Sequence, residues 1–157
     1  MYDTSTYPYR IRSINPDCLR ALARSLEREA DNLPSSVAAG QGEAISSAVD
    51  AALVRVTWEL SRIADDLVSS FNGKGSNRDR HATAIHQCAE PLGLAQYYLA
   101  KAMDHVSSHH HAFASTMDKK TEPPKELLLA LQQYIDHARD AIYATANQFT
   151  TNASLLG

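Results

Sequence analysis

The chain has 157 residues, of which 44% are hydrophobic and 21% are charged, with a formal net charge of −3. This length suffices for one domain with its own core, and the charge excludes the broad basic surface that non-specific nucleic-acid binding needs. No stretch approaches the run of about 18 uncharged residues of a membrane span, and no signal peptide is recognisable. We therefore expect a cytoplasmic protein without membrane or nucleic-acid partners, with export without a signal peptide as the alternative.

Four segments repeat their apolar residues with helical periodicity, and none alternates as a strand does, so we predict an all-α fold. The helices are predicted at about 16–33, 43–71, 78–115 and 124–155. Pro91 lies inside the third of them, where a kink or short break is expected. Because short connections between long helices make antiparallel neighbours, we predict a single up-down-up-down four-helix bundle over 15–157, preceded by an extended arm over 1–14.

A groove for a partner is predicted by counting residues away from each turn. This counting places the short first helix beside the half of the second helix from 43 to 58 and leaves the other half without a fourth helix. Four apolar residues then need another cover: Leu60, Ile63, Leu67 and Phe71. The arm carries Tyr7 and Tyr9, which can plug this groove or take part in binding there. The groove is our predicted binding site for another protein or for a second copy of the chain.

Four histidines fall within residues 104–113, in the stretch DHVSSHHHAF. His105 and His109 are one helical turn apart, and the same counting places Glu43 at their height. Two imidazoles and a carboxylate are a sound set of ligands for a divalent metal. The alternative is the solvated end of a helix, which we favour, so no cofactor is predicted.

The stretch RDRHATAIH offers a second enzymatic alternative, because Arg80 followed by His86 resembles the Arg-to-His motif of HEPN-type helical ribonucleases. That resemblance implies an arginine that steadies phosphate charge and a histidine that acts as acid or base. Cys18 and Cys88 lie far apart and form no CxxC pair, so neither a disulfide framework nor a thiolate metal site is predicted.

The first half of the chain resembles a family of interaction modules. The segments INPDCLRALARSLEREADNL and AALVRVTWELSRIADDLVSSF, within residues 14–71, are similar to the small helical-hairpin (WXG-type) proteins of actinobacterial type VII secretion. PSSVAAGQG stands where that family has its Trp-x-Gly turn, and the Tyr-based export signal is missing. The resemblance implies pairing of helical hairpins, which here are both present in one chain.

Taken together, these patterns predict a non-catalytic helical-bundle protein that acts by protein–protein interaction, either with a partner or as a homodimer. A metal-binding or RNase-like helical-bundle enzyme is the alternative. An exposed apolar surface is typical of the first, and convergent polar side chains in a pocket are typical of the second.

Overall fold

A computed structural model of the chain describes residues 16–38, 40–72, 78–114 and 124–156, and it describes their side chains except at 66–72, 78–85 and 155–156. Five helices make up this part of the chain and pack together, and it contains no strand, so the all-α prediction is confirmed. The helices are α1 (Pro16–Asn32), α2 (Gly42–Asn72), α3 (Arg78–Ser108), α4 (His110–Phe113) and α5 (Lys125–Leu156).

The predicted apolar stripes form the core. On α5, all the stripe residues from Leu131 to Phe149 are buried, including Thr145, whose hydroxyl donates to the carbonyl oxygen of Ala141. On α3 the stripe is buried from Cys88 to Val106. Burial of one face of each helix is the main source of stability in such a fold, because isolated helices are marginal in water.

The interruption of the third predicted helix falls at a different place from the one expected. α3 continues without a break through Pro91, although proline removes one backbone hydrogen bond. Cys88 and Leu92, on either side of it, are both fully buried, so tertiary packing holds this turn in helical form. The helix instead ends at Ser108, and His109 adopts a non-helical backbone (φ −118°, ψ 36°) before the single turn of α4.

α5 is the helix against which both α1 and α3 pack, whereas α2 packs along α3 and touches α1 only sparsely. The ring of Tyr98 on α3 stacks on His137 of α5, with centroids 4.9 Å apart. Further along, Gln148 of α5 donates to Gln87 of α3 at 3.2 Å. The residue numbers rise on one helix as they fall on the other, so α3 and α5 are antiparallel.

α2 and α3 are antiparallel by the same reasoning. Gln96 of α3 donates to the hydroxyl of Thr57 on α2 at 3.1 Å. At the start of α2, a Cβ on Gly42 would lie only 2.7 Å from the carbonyl oxygen of Phe113. The close approach of these two backbones explains why glycine occupies the first position of α2.

α1 is fastened to α5 near the middle of the longer helix. Arg139 donates through Nη2 to the carbonyl oxygens of Leu33 (3.3 Å) and Pro34. One turn further along α5, the hydroxyl of Tyr143 donates to the carboxylate of Asp31. α1 therefore runs antiparallel to α5 and lies beside its C-terminal half.

This register corrects the position that counting from the turns gives to the first helix. The end of α1 is level with Arg139, and through the neighbouring helix pairs it is level with Gln96 and Thr57. α1 thus accompanies the second half of α2, not the half from 43 to 58. Counting failed because it assumed a compact turn between the first two helices.

The connection from α1 to α2, residues 33–41, is called the strap, and the structure describes it at 33–38 and 40–41. It must span the distance along the axis of α2 between the level of Thr57 and Gly42, which is 15 helical residues or about 22 Å. Nine residue steps reach about 30 Å when extended, so the strap is long enough. Val37 packs against the core from it, and Gly40 takes a positive φ of 79° just before α2 begins.

Candidate functional site

The described structure does not bring together Glu43, His105 and His109, the three residues of the alternative metal site. His105 Nε2 lies 2.9 Å from the carbonyl oxygen of Leu127, to which it donates, and its ring lies beside that of His109, with centroids 4.9 Å apart. Glu43 is exposed on α2. Within the described ranges, no three His, Cys, Asp or Glu side chains are grouped so that they can hold a metal ion. The histidines are accordingly part of the α3–α5 packing and of the solvated end of α3.

The two residues of the ribonuclease alternative both lie on α3. His86 is exposed, whereas the side chain of Arg80 lies outside the described residues. Six helical residues separate the two positions, which places them about 120° apart around the helix axis. The structure of the described residues thus does not test this alternative, because only one of its two side chains is described.

Part of the predicted groove lies outside the described side chains: Tyr7, Tyr9, Leu67 and Phe71. Of the remaining two residues, Ile63 is 4% exposed and Leu60 is half-buried. The register of α1 supplies the reason, because this helix lies beside the half of α2 that counting had left uncovered. Ile63 belongs to the core of the chain.

A different part of α2 presents apolar side chains to solvent. Val54 is 61% exposed and Trp58, the only tryptophan of the chain, is 39% exposed. They are four residues apart and therefore neighbours on one face of the helix. Arg55 and Arg62 flank the indole, with guanidinium carbons 5.5 and 6.0 Å from its ring centroid. We call Val54, Arg55, Trp58 and Arg62 the Trp58 surface.

A buried carboxylate holds the two arginines of this surface. Glu59 is fully buried, and its two oxygens lie 3.2 Å from Arg55 Nη2 and 3.0 Å from Arg62 Nη2. Arg62 Nε also donates to Glu59 at 3.1 Å. The carboxylate therefore fixes both guanidinium groups beside the face of Trp58, which is the geometry that a cation–π interaction requires.

The hydrogen bonds of this cluster are incomplete at Arg55. Both guanidinium groups contact the same carboxylate, and the side chain of Arg55 is 31% exposed. Arg55 Nε is buried without a hydrogen-bond acceptor, and Glu59 Oε1, although within ion-pair distance of Arg55, accepts no well-aligned hydrogen bond. Arg62 thus makes both an ion pair and a hydrogen bond with Glu59, whereas Arg55, the more exposed of the two arginines, makes only an ion pair with it.

Sequence reasoning missed Glu59 because helical periodicity identifies core positions by their apolar residues, and Glu59 is charged. The sequence does contain a signal for it, since Glu59 follows Arg55 by four residues and precedes Arg62 by three. Both spacings allow ion pairs on a helix. What the pattern alone does not give is the burial of the carboxylate.

The buried cysteine is unsuited to nucleophilic chemistry. Burial raises the pKa of the Cys88 thiol to about 12, although a hydrogen bond from Asn152 Nδ2 at 3.6 Å opposes this shift. A thiol is reactive as its thiolate, so Cys88 is inert at neutral pH.

A second pair of exposed apolar residues, Leu94 and Tyr97, lies on α3, with 49% and 54% of their surface exposed. The ring of Tyr97 packs edge-on against Tyr98 and faces Lys101, whose ammonium lies 5.5 Å from its centroid. Among the residues that the structure describes, no buried charged side chain contacts this pair, in contrast to the Trp58 surface.

Comparison with known proteins gives no relative for the chain: no protein-family model, no curated protein and no solved structure matches it. In the described part of the chain, no helix is both long enough and apolar enough to cross a membrane.

Proposed function

We propose that this protein is a non-catalytic helical-bundle protein that acts by binding another protein, or a second copy of itself, at the Trp58 surface. The observation that carries the proposal is an exposed tryptophan held between two arginines that a buried glutamate orients. Tryptophan and arginine are the residues most enriched among those that dominate the binding energy of protein interfaces.

The exposed part of Trp58 is large enough to matter energetically. A tryptophan side chain offers up to about 250 Å², and two-fifths of that area is about 100 Å². At about 25 cal/mol per Å², covering it contributes roughly 2.5 kcal/mol to association. Val54, which is more exposed still, adds to this contribution.

The cluster also lowers the entropic cost of binding. A free arginine loses about 0.5–1.5 kcal/mol of side-chain freedom when an interface immobilises it. Arg55 and Arg62 are already held by Glu59, and their guanidinium groups restrict Trp58 in turn. A surface prepared in this way binds its partner with less ordering than a flexible one.

Buried ion pairs seldom contribute much net stability, because removing charges from water costs about as much as their attraction returns. A fully buried glutamate with two arginines is thus weak evidence for a stabilising role. A role in fixing the shape of a binding surface accounts for its contacts with the two arginines that lie beside the exposed indole.

The scaffold that presents this surface is, we infer, an up-down-up-down bundle of α1, α2, α3 and α5. The antiparallel pairs α1–α5, α5–α3 and α3–α2 support this topology. Since α1 and α2 touch sparsely, the ring is least tightly closed between these two helices.

The proposal is tested by comparing Trp58→Ala with Leu129→Ser, a substitution of a still more exposed apolar residue on α5 (59% against 39%). Affinity-tagged chains are expressed in the native host, and their complexes are quantified by mass spectrometry, with molar mass in solution measured by light scattering. Trp58→Ala should lose a partner, or the dimer, that Leu129→Ser retains. If both variants keep every partner and the same molar mass, the proposal is wrong.

A further inference from the structure

The outer side of α3 carries a second regular series of residues, separate from the buried stripe of the same helix. Its members follow one another at alternating steps of four and three, which is the spacing of positions that share one face of a helix. All five are exposed, and we call them the α3 face: Glu90, Leu94, Tyr97, Lys101 and Asp104.

The centre of the α3 face is apolar, and the residues on either side of it carry opposite charges. Leu94 and Tyr97 leave 49% and 54% of their surface exposed in the middle of a long helix. Glu90 lies one turn before Leu94, and Lys101 lies one turn after Tyr97, with its ammonium 5.5 Å from the centroid of that ring. An exposed apolar centre with a polar rim is the arrangement found at protein–protein interfaces.

The two charges are too far apart to pair within one chain. The helix rises about 16 Å along its axis between Glu90 and Lys101. None of the ion pairs between described side chains involves either residue. Both charges are therefore available to a group that approaches the α3 face from solvent.

The order of these residues is complementary to itself when a second copy of α3 lies antiparallel to the first. In a two-fold dimer each surface contacts the same surface of its copy, so residues equally far from the axis face each other. An axis midway between Leu94 and Tyr97 places Leu94 of one copy opposite Tyr97 of the other. The same axis places Glu90 opposite Lys101 at both ends of the apolar centre.

The charges also disfavour the other orientation. In a parallel pair Glu90 would face Glu90 and Lys101 would face Lys101, and like charges across an interface repel. In the antiparallel pair the remaining acidic residue, Asp104, falls opposite the exposed and uncharged amide of Gln87. The pattern therefore selects one orientation of one partner, which is the chain itself.

We propose that the α3 face is a homodimer interface, at which α3 of a second copy packs antiparallel with Leu94 against Tyr97 and Glu90 against Lys101. This inference goes beyond the proposed function, because it assigns a partner to a helix that contributes nothing to the Trp58 surface. One helix face is smaller than a standard interface of about 20–30 residues a side, so the dimer should be reversible and should form as the protein concentration rises.

Exchanging the two charges tests the pairing. Light scattering and sedimentation equilibrium measure the dissociation constant of the full-length chain and of its variants. Glu90→Lys or Lys101→Glu should each weaken dimerisation by about ten-fold or more, because each replaces two attractions of the symmetric dimer by two repulsions. The double variant should regain most of the affinity. Because the two positions lie about 16 Å apart in one chain, this rescue reports a contact between chains.

An equimolar mixture of the Glu90→Lys and Lys101→Glu chains gives an independent measurement. Each chain alone faces its own copy with like charges, whereas the mixed pair has opposite charges at both ends. Native mass spectrometry should therefore detect heterodimers at concentrations where each variant alone is monomeric. Lys125→Glu, which reverses an exposed lysine of α5, is the matched control and should leave dimerisation unchanged.

The apolar centre is tested by Leu94→Ser, which should weaken dimerisation by about ten-fold or more because the dimer loses two leucines. Leu129→Ser, at an exposed leucine of α5, should have no effect. Circular dichroism identifies a variant that fails to fold, and the remaining variants then decide.

The inference is overturned if the unaltered chain stays monomeric at every concentration, if the double variant regains no affinity, or if the mixture contains no heterodimer. A dimer that Trp58→Ala abolishes and that the charge exchanges leave unchanged would place self-association at the Trp58 surface and refute the α3 interface alone.

Discussion

Removing Glu59 alone should destabilise the protein, whereas removing the whole charged cluster should not. In Glu59→Met the two arginines lose their common carboxylate, and Arg62, whose side chain is only 12% exposed, is left with a poorly solvated charge. Breaking a fully buried ion pair costs about 3–5 kcal/mol, and the partial exposure of Arg55 lowers this figure here. We expect a loss of about 2–3 kcal/mol in the free energy of unfolding.

The triple variant Arg55→Met, Glu59→Met, Arg62→Met replaces the cluster by apolar side chains of similar length. Its free energy of unfolding should lie within about 1 kcal/mol of that of the unaltered protein, because the cost of burying the charges disappears together with the attraction between them. Urea denaturation followed by circular dichroism at 222 nm measures both variants, with Trp58 fluorescence as a second signal. If the triple variant loses as much stability as Glu59→Met, the cluster is a stabilising element, and our reasoning about a prepared surface is refuted.

Three further predictions concern the scaffold. Gly42→Ala should lower the free energy of unfolding by about 2 kcal/mol or more, because the new Cβ would lie 2.7 Å from the Phe113 carbonyl oxygen. Gly93→Ala, whose Cβ would meet nothing within 4 Å, should raise the free energy of unfolding by about 0.5–1 kcal/mol. Thermal or urea unfolding measures both, and equal effects would contradict the close approach at Gly42. Arg139→Ala should lower the free energy of unfolding by about 1–2 kcal/mol and make the amide hydrogens of α1 exchange faster. Unchanged exchange in α1 would show that this arginine does not hold the helix in place. The thiol of Cys88 should resist alkylation at pH 8 in the folded protein. Because folding raises its pKa from 9 to about 12, the thiol should contribute fully to the free energy of unfolding below pH 9, and this contribution should fall between pH 9 and 12. Cys88→Ala should lack that decline.

The helices and most of the core follow from the sequence, because an apolar residue at every third or fourth position specifies both a helix and its buried face. The stripe from Cys88 to Val106 is buried as its spacing predicts. On α2 the stripe departs from the prediction at one position, where Glu59 is buried and Leu60 is half-buried. A charged residue enters the core there because two arginines of the same helix pair with it.

The relative position of the helices does not follow from periodicity. An apolar stripe predicts which face of a helix is buried, but it does not predict the position of one helix relative to another along their axes. The strap between α1 and α2 contains Pro34 and small polar residues, a composition that is typical of compact turns and extended connections alike. Arg139 settles the register by binding the carbonyl groups at the end of α1, 105 and 106 residues away in the chain.

The candidate site was hard to predict for a related reason. Counting from the turns leaves the wrong half of α2 uncovered, so it places the binding groove on the half that α1 accompanies. The exposure of Trp58 beside Val54 favours a role in an interface. The cluster of Arg55, Glu59 and Arg62 is local in sequence, but the burial of Glu59 is visible only in the packed structure.

The claim that the Trp58 surface is where the protein binds its partner is tested most directly by site-specific photo-crosslinking in cells of the native host. p-Benzoylphenylalanine is placed at Val54, and in a matched strain at Gln133, which is exposed on α5. Our account predicts a discrete, light-dependent adduct from position 54 that Trp58→Ala abolishes and that position 133 does not form. The same adducts from both positions, or an adduct from position 54 that survives Trp58→Ala, would contradict it.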